Sequence, residues 1–361
     1  MSRLAERFTD KQTTPEISKY PFSVTEVVVA GDLGQCGGVR MALKVTKEIL
    51  DYANGKVPIY ANNAPVHNKL ITESFKTRGL VIEPDVDNIP ANSIWILSAH
   101  GTPPETVTRA KDKGILIVNL ECPLVTKVRK EAVRAEEKGE HLVYLGDKSH
   151  PEPRAILGGL KNPQHVTFIT EETDLGNVKL PAEKPIKVLN QTTLSARMVK
   201  NEVDQLKALN PDAKIPDPVG ICYATDHRQD SLYGLFANPN KPIDFLVVVG
   251  SQNSHNSKEL RNIGIGFLGE EKAVLVDSSA DIKPEWFSEN IKRVGLTSGA
   301  SVIDDYTAEV LEWFRKKGSG LTFLIGKEDD PRFDDLTFQA PKDDINSAKA
   351  YLNKRLEYKN G

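Results

Sequence analysis

The sequence lacks the features that mark several classes of protein. No apolar run approaches the roughly 18 residues that cross a bilayer, and residues 1–20 contain no hydrophobic signal core. Acidic and basic residues nearly balance, at a formal net charge of −3, so no basic surface for nucleic acid or a membrane is indicated. These absences predict a cytoplasmic protein that binds neither nucleic acid nor a membrane.

The common cofactor fingerprints are also missing. The chain has no glycine-rich phosphate loop, and residues 31–34 match only a fragment of the dinucleotide-binding turn. The C-x₂-C pair that is typical of structural zinc does not occur. No nicotinamide, flavin or P-loop nucleotide site is therefore indicated.

Cysteine is scarce, since Cys36, Cys122 and Cys222 are the only three in 361 residues. An odd number of distant cysteines is not typical of a disulfide framework. Each follows a short apolar strand pattern and precedes a helical one, and the positive end of a helix favours the thiolate that metals bind. Three thiolates in similar positions indicate one shared metal centre.

A common order of elements recurs in each third of the chain. After each cysteine come two predicted strands that end in polar turns, and the carboxyl ends of parallel strands are where open α/β sheets bind ligands. The pattern predicts three α/β units whose turns face one pocket. The expected boundaries are a flexible extension at residues 1–23, α/β units at 24–120, 121–217 and 218–317, and a C-terminal tail at 318–361. Within the tail, residues 343–355 predict a helix that either docks or stays solvated.

Nine short motifs lie in order within residues 25–310. They are GQCGGV at 34–39, VHN at 66–68, SAHG at 98–101, CPLVTKV at 122–128, HPE at 150–152, QTTLS at 191–195, ICYAT at 221–225, SHNS at 254–257 and TSGAS at 297–301. This ordered set resembles the 4-hydroxy-3-methylbut-2-enyl diphosphate reductase (LytB/IspH) family. The resemblance implies a pseudo-threefold α/β trefoil around a central [4Fe–4S] cluster. It also implies the last step of the non-mevalonate isoprenoid pathway, the reductive removal of a hydroxyl from an allylic diphosphate.

The resemblance assigns roles to individual residues. Cys36, Cys122 and Cys222 correspond to the cluster ligands, and electrons would come from a ferredoxin or flavodoxin. Glu152 corresponds to the proton donor, assisted by His150 and Thr192, with Thr193 as a weaker candidate. The diphosphate ligands would be His67, His100, Ser254, Asn256 and Ser301. For the serines, capping of a helix is the ordinary alternative.

Three positions depart from the family pattern. His255 stands where a phosphate-contacting serine is usual, Gln35 replaces an aromatic residue, and Glu121 replaces a small polar residue before Cys122. Imidazole still donates one hydrogen bond and can add positive charge, so His255 stays among the expected substrate-binding residues. Glu121 would place a carboxylate beside the cluster. These changes bear on affinity and redox tuning more than on the reaction.

Three alternatives stay open from the residues alone. Three thiolates leave one iron of a cubane without a cysteine, and that iron could serve as a Lewis acid in a hydro-lyase without net redox chemistry. A hydro-lyase of hydroxy acids would need carboxylate-binding arginines, which the polar turns lack. A non-catalytic iron–sulfur sensor would need neither Glu152 nor the diphosphate turns. The third alternative is a zinc hydrolase, which would be colourless, whereas a protein with an iron–sulfur cubane is brown.

Overall fold

The computed structural model describes residues 22–31, 33–66, 68–287, 290–318, 321–325 and 338–360. Over these residues the strands are β1 (Glu26–Val29), β2 (Ile59–Ala61), β3 (Leu80–Ile82), β4 (Ile94–Leu97), β5 (Leu116–Asn119), β6 (His141–Leu145), β7 (Thr167–Ile169), β8 (Ile186–Asn190), β9 (Phe245–Val249), β10 (Ala273–Val276), β11 (Arg293–Ser298) and β12 (Thr322–Ile325).

The α-helices of the described residues alternate with the strands along much of the chain. They are α1 (Gly37–Ala53), α2 (Lys69–Lys76), α3 (Pro104–Asp112), α4 (Pro123–Glu137), α5 (Pro151–Leu157), α6 (Ala196–Leu209), α7 (Tyr223–Phe236), α8 (His255–Leu268), α9 (Asp304–Lys317) and α10 (Lys342–Asn360). Short 3₁₀ turns lie at Val86–Asn88, Pro163–His165, Leu175–Asn177, Glu270–Lys272, Ser279–Asp281 and Pro284–Phe287.

The chain divides into two compact units. Unit 1 comprises the described residues of Met1–Cys36, His67–Leu70 and Tyr223–Thr337. Unit 2 comprises those of Gly37–Val66, Ile71–Cys222 and Phe338–Gly361. Cys36 therefore belongs to unit 1, whereas Cys122 and Cys222 belong to unit 2.

Unit 1 is built on one parallel sheet of five strands in the order β10-β9-β11-β1-β12. β1 (EVVV) and β9 (FLVVV) are rich in valine, and β9 is buried along its whole length, as expected for a parallel sheet covered on both faces. Phe22 packs edge-on against Phe287 at 6.0 Å, and the Ser23 hydroxyl donates to the carbonyls of Phe287 and Ile291. Residues 22 and 23 are thus part of the folded unit, and residues 1–21 of the predicted extension lie outside the described residues.

Unit 2 contains two smaller parallel sheets. One has the strand order β3-β2-β4-β5 and the other β7-β6-β8. Their cores are separate clusters, one around Trp95 and Leu97 and another around Val143 and Val188. The predicted α/β class and the parallel pairing of its strands are confirmed.

Sheet membership does not follow chain order. β1 pairs with β11 and with β12, so the strand before Cys36 belongs to the same sheet as the strands of residues 218–317. β12 comes from the predicted tail. The three unit boundaries predicted from the sequence stay predictions.

The predicted tail helix docks on unit 2 as α10. Ile345, Ala348 and Leu352 are buried on its inner face. Lys349 forms an ion pair with Glu48 of α1 at 2.6 Å. The docked alternative is therefore the correct one. Among the described residues, no helix is both long and apolar enough to cross a membrane.

Candidate functional site

All three cysteines stand at helix starts, as the sequence predicts. Cys36 immediately precedes α1, Cys122 is the N-cap residue of α4, and Cys222 immediately precedes α7. Each is half-buried. The unpaired N–H groups at a helix start favour a thiolate, so each position suits a metal ligand.

Main-chain hydrogen bonds connect the cysteine turns of unit 2 to other predicted site residues. The Cys122 N–H donates to the carbonyl of Ala99 at 3.0 Å, next to His100. The Cys222 N–H donates to the carbonyl of Thr192 at 2.8 Å. Two of the thiols are therefore held in fixed relation to turns that carry other candidate residues.

The candidate metal ligands are all cysteine thiols. A Cβ added to Gly38 would lie 3.5 Å from the Cys122 sulfur and 3.5 Å from the ring of Phe338, so the start of α1 packs beside that thiol. Among the described residues, no three His, Cys, Asp or Glu side chains form a ligand set for one metal ion. Iron–sulfur clusters are held by cysteine thiolates, so the donor type of these three residues fits such a cluster.

Glu152 is the most unusual ionisable group of unit 2. It lies on the first turn of α5 and is only 1% exposed. Thr192 donates to both carboxylate oxygens, from its N–H to Oε1 at 2.7 Å and from its hydroxyl to Oε2 at 2.9 Å. Burial raises the pKa of Glu152 to about 7 against the opposing effect of these hydrogen bonds, and the charge of Glu121 adds to the rise. The carboxyl can therefore hold or release a proton near neutral pH.

Two histidines lie beside this acid. The His150 Nδ1 accepts the N–H of Glu152 at 3.2 Å, so a neutral His150 carries its proton on Nε2. The His150 and His100 rings meet edge-on at 5.4 Å between centroids. Nδ1 of His100 lies 3.3 Å from the Ser98 hydroxyl. Thr193, by contrast, has its hydroxyl bound by the Gln191 amide at 3.0 Å, which suits a supporting position.

Unit 1 brings its candidate residues together at the ends of three neighbouring strands. The Cys36 loop follows β1, Ser301 follows β11, and Ser254, His255 and Asn256 follow β9. The Cys36 N–H donates to the carbonyl of Ala300 at 3.2 Å. The predicted polar turns of this unit are therefore adjacent.

Asn256 presents an unused donor in that group of turns. Its Oδ1 accepts the N–H of Ala300 at 3.0 Å, which fixes the orientation of the amide. Its Nδ2 is buried and has no hydrogen-bond partner among the described residues. A buried donor without a partner is costly, so this amide is suited to an anionic ligand.

The other predicted residues of unit 1 differ in character. Ser254 caps α8, its hydroxyl accepting the N–H of Ser257 at 3.3 Å, which is the capping alternative. The ring of His255 lies 3.9 Å from the carboxylate of Glu259. Ser301 is buried. The predicted ligand His67 lies outside the described residues.

Several residues that the sequence did not reveal contribute to these turns. Arg228 is buried, and its guanidinium donates to the carbonyl of Gly34, two residues before Cys36, at 2.6 Å. Asn62 binds the turn that carries His100, accepting the Ser98 N–H at 2.8 Å. Burial raises the pKa of Tyr144 well above its usual value, and the charge of Glu152 adds to this rise. Asn62 directly follows β2, and polar residues at the carboxyl ends of parallel strands are candidate ligands, so its position in the sequence could have identified it. Arg228 lies on a helix, where a charged residue gives no such signal.

Comparisons with known proteins agree on one family. The LytB protein family matches residues 27–315. A 4-hydroxy-3-methylbut-2-enyl diphosphate reductase from Psychromonas ingrahamii is 34% identical over 86% of this chain and 96% of its own. The enzyme of that name from Aromatoleum aromaticum is 34% identical over 81% and 91%.

Solved structures give the same result. The E-1-hydroxy-2-methyl-but-2-enyl-4-diphosphate reductase from Plasmodium falciparum superimposes with a TM-score of 0.79 at 26% identity, over 91% of this chain and 99% of that one. A structure described as the terminal enzyme of the non-mevalonate pathway matches with a TM-score of 0.56 at 25% identity, over 81% and 100%. The chain therefore belongs to the LytB family.

Proposed function

We propose that this protein reduces (E)-4-hydroxy-3-methylbut-2-enyl diphosphate to isopentenyl and dimethylallyl diphosphates. The substrate loses its hydroxyl as water, and two electrons and two protons are consumed. One proton leaves with the hydroxyl, and the other adds to an allylic carbon. The family relationship supports the reaction, and the buried Glu152 with its Thr192 contacts is the observation that most supports the proton chemistry.

Cys36, Cys122 and Cys222 would hold a [4Fe–4S] cluster. When bound, such a cluster supplies electrons one at a time from an external donor, for which a ferredoxin or flavodoxin is expected. The cytoplasm, where thiols stay reduced, is the expected compartment. The remaining chemistry falls to the side chains around it.

The polar side chains divide the remaining tasks. The diphosphate would be bound by hydroxyl, amide and imidazole groups, because such groups at helix starts bind phosphate oxygens. These side chains are His67, His100, Ser254, His255, Asn256 and Ser301. Glu152 would hold the proton needed by the departing hydroxyl. Thr192 keeps that carboxyl in one orientation. His150, with its proton on Nε2, would contact the substrate and pass protons towards Glu152.

The proposal is tested with anaerobically purified protein. We expect a brown protein with about four iron and four sulfide per chain that turns over the substrate with a chemical reductant. Replacing any one of the three cysteines by serine should remove the colour and the activity together. A colourless wild-type protein containing zinc would contradict the proposal, and so would a cysteine variant with normal iron content and turnover. A sensor without catalytic function would keep its colour but form no product.

A further inference from the structure

Glu121, the residue before Cys122, is a buried charge with a complete set of partners. Its side chain is 5% exposed. Oε1 accepts the hydroxyl proton of Thr126 at 2.9 Å, and Oε2 accepts from the guanidinium of Arg129 at 2.9 Å. Both partners lie on the first turns of α4, so the carboxylate also sits near the positive end of that helix. A buried carboxylate is tolerated only when it is paired in this way.

Arg129 extends the contact to a second loop. The same nitrogen that binds Glu121 lies 3.3 Å from the carbonyl oxygen of Thr102 and donates to it. Thr102 ends the turn that carries His100. The stem of Arg129 passes over Gly159, where an added Cβ would lie 3.5 Å from the Arg129 Cδ. The guanidinium thus joins the turn at residues 98–102 to the start of α4.

The turn itself is packed against Glu121. Gly101 has a φ of +88°, which favours glycine. A Cβ added there would lie 3.0 Å from Ala155, 3.2 Å from Val125 and 3.3 Å from the carboxyl carbon of Glu121. The carboxylate is therefore part of the surface on which the turn rests, as well as the partner of Arg129.

We propose that Glu121 and Arg129 act as positioning residues that fix the His100 turn on the start of α4, and so set the place of His100 for the substrate diphosphate. The inference rests on the proposed function, because His100 is taken to bind the diphosphate. It assigns a structural purpose to Glu121, which departs from the usual residue before this cysteine. Thr126 holds the second oxygen and keeps the carboxylate facing Arg129.

The test is a double-mutant cycle on the cluster-loaded protein with Glu121→Gln, Arg129→Met and the double variant. Inorganic diphosphate binding is measured by calorimetry, and KM and kcat by substrate turnover. Each single variant should weaken diphosphate binding and raise KM by about tenfold, because His100 binds the diphosphate. In Arg129→Met, kcat should change less than about twofold. Glu121→Gln also removes a charge that raises the pKa of Glu152, so its kcat is compared as a pH profile. The double variant should bind diphosphate no more weakly than the single variant with the lower affinity, because both substitutions break the same contact.

Arg134→Met is the matched control. Arg134 lies on the same helix, is exposed and pairs with Glu131 at 3.0 Å without contacting the turn, so its loss should leave KM unchanged. Unchanged diphosphate affinity in Arg129→Met, or fully additive effects in the double variant, would overturn the inference. Arg129→Met decides the matter even if Glu121→Gln loses iron. A wild-type protein that binds no diphosphate would instead overturn the proposed function.

Discussion

Asn256 in unit 1 and Glu152 in unit 2 differ in whether their polar side-chain atoms have hydrogen-bond partners. Asn256 keeps a buried Nδ2 donor without a partner among the described residues, whereas both oxygens of Glu152 are occupied by Thr192. The Nδ2 group of Asn256 is suited to donate a hydrogen bond to an anion. Burial instead raises the pKa of the Glu152 carboxyl to about 7, against the effect of the Thr192 hydrogen bonds, so this group can hold one proton near neutral pH. On the proposed function, we therefore expect Asn256 to contribute mainly to substrate affinity and Glu152 mainly to the chemical step.

Replacing Glu152 should give the largest effect. Glu152→Gln keeps the size and one acceptor but removes the proton, so kcat should fall roughly 10²- to 10⁴-fold with little change in KM. The measurement is turnover with a strong chemical reductant, so that electron delivery does not limit the rate. Thr192→Val, which removes only one hydrogen bond to the carboxyl, should lower kcat less. Turnover of Glu152→Gln within about threefold of wild type would assign the proton to another group.

The same substitution should change the pH dependence of stability. The pKa of Glu152 is raised by burial from 4.5 to about 7 in the folded protein. Below the unfolded value both states are protonated, and as pH rises towards 7 only the unfolded state loses its proton. The wild type should therefore lose up to about 3 kcal/mol of stability relative to Glu152→Gln between pH 4 and pH 8. Denaturant unfolding of both proteins at the two pH values checks this, and a constant difference would contradict the buried acid.

The third effect belongs to unit 1. Asn256→Ala removes the unused donor and should raise KM about 10- to 100-fold, the equivalent of roughly 1.5 to 3 kcal/mol for a hydrogen bond to a charged group. Colour and kcat at saturation should change little. Asn238→Ala, in the turn between α7 and β9, is the control, because its side chain is exposed and accepts the N–H of Asn240 at 3.0 Å. Equal KM values for Asn256→Ala and wild type would leave this turn without a role in binding.

Ser254 gives the smallest effect and separates capping from binding. Ser254→Ala should cost about 1 kcal/mol of stability, because the cap on the Ser257 N–H is lost. Ser254→Asp preserves a cap acceptor but adds a negative charge, so it should keep stability while raising KM through repulsion of the diphosphate. If both variants bind substrate normally, Ser254 is a cap alone.

Local patterns in the sequence predicted much of this arrangement. Each cysteine was expected at a helix start because an apolar strand pattern precedes it and a helical pattern follows, and all three are there. Glu152 is recognisable from its HPE motif, and the structure shows that it is buried, with a pKa raised to about 7. These features depend on neighbours in the sequence, which a single chain displays directly.

Long-range contacts could not be predicted in this way. β1 joins β11 and β12, yet its Val-rich segment would fit any parallel sheet equally well. From the sequence, Arg129 is expected on the exposed face of an amphipathic helix. Its contacts with Glu121 and Thr102 form only in the folded chain. Arg228 is similar, because a charged residue is expected to be exposed and here it is buried against the loop of Cys36.

The separation of binding from proton transfer is tested most directly by titrating inorganic diphosphate into the cluster-loaded wild type, Asn256→Ala and Glu152→Gln under anaerobic, non-reducing conditions. The account predicts that Asn256→Ala binds at least tenfold more weakly than wild type, by loss of a hydrogen bond to a charged group. Glu152→Gln should bind as wild type does. Loss of affinity in Glu152→Gln together with normal affinity in Asn256→Ala would contradict the account.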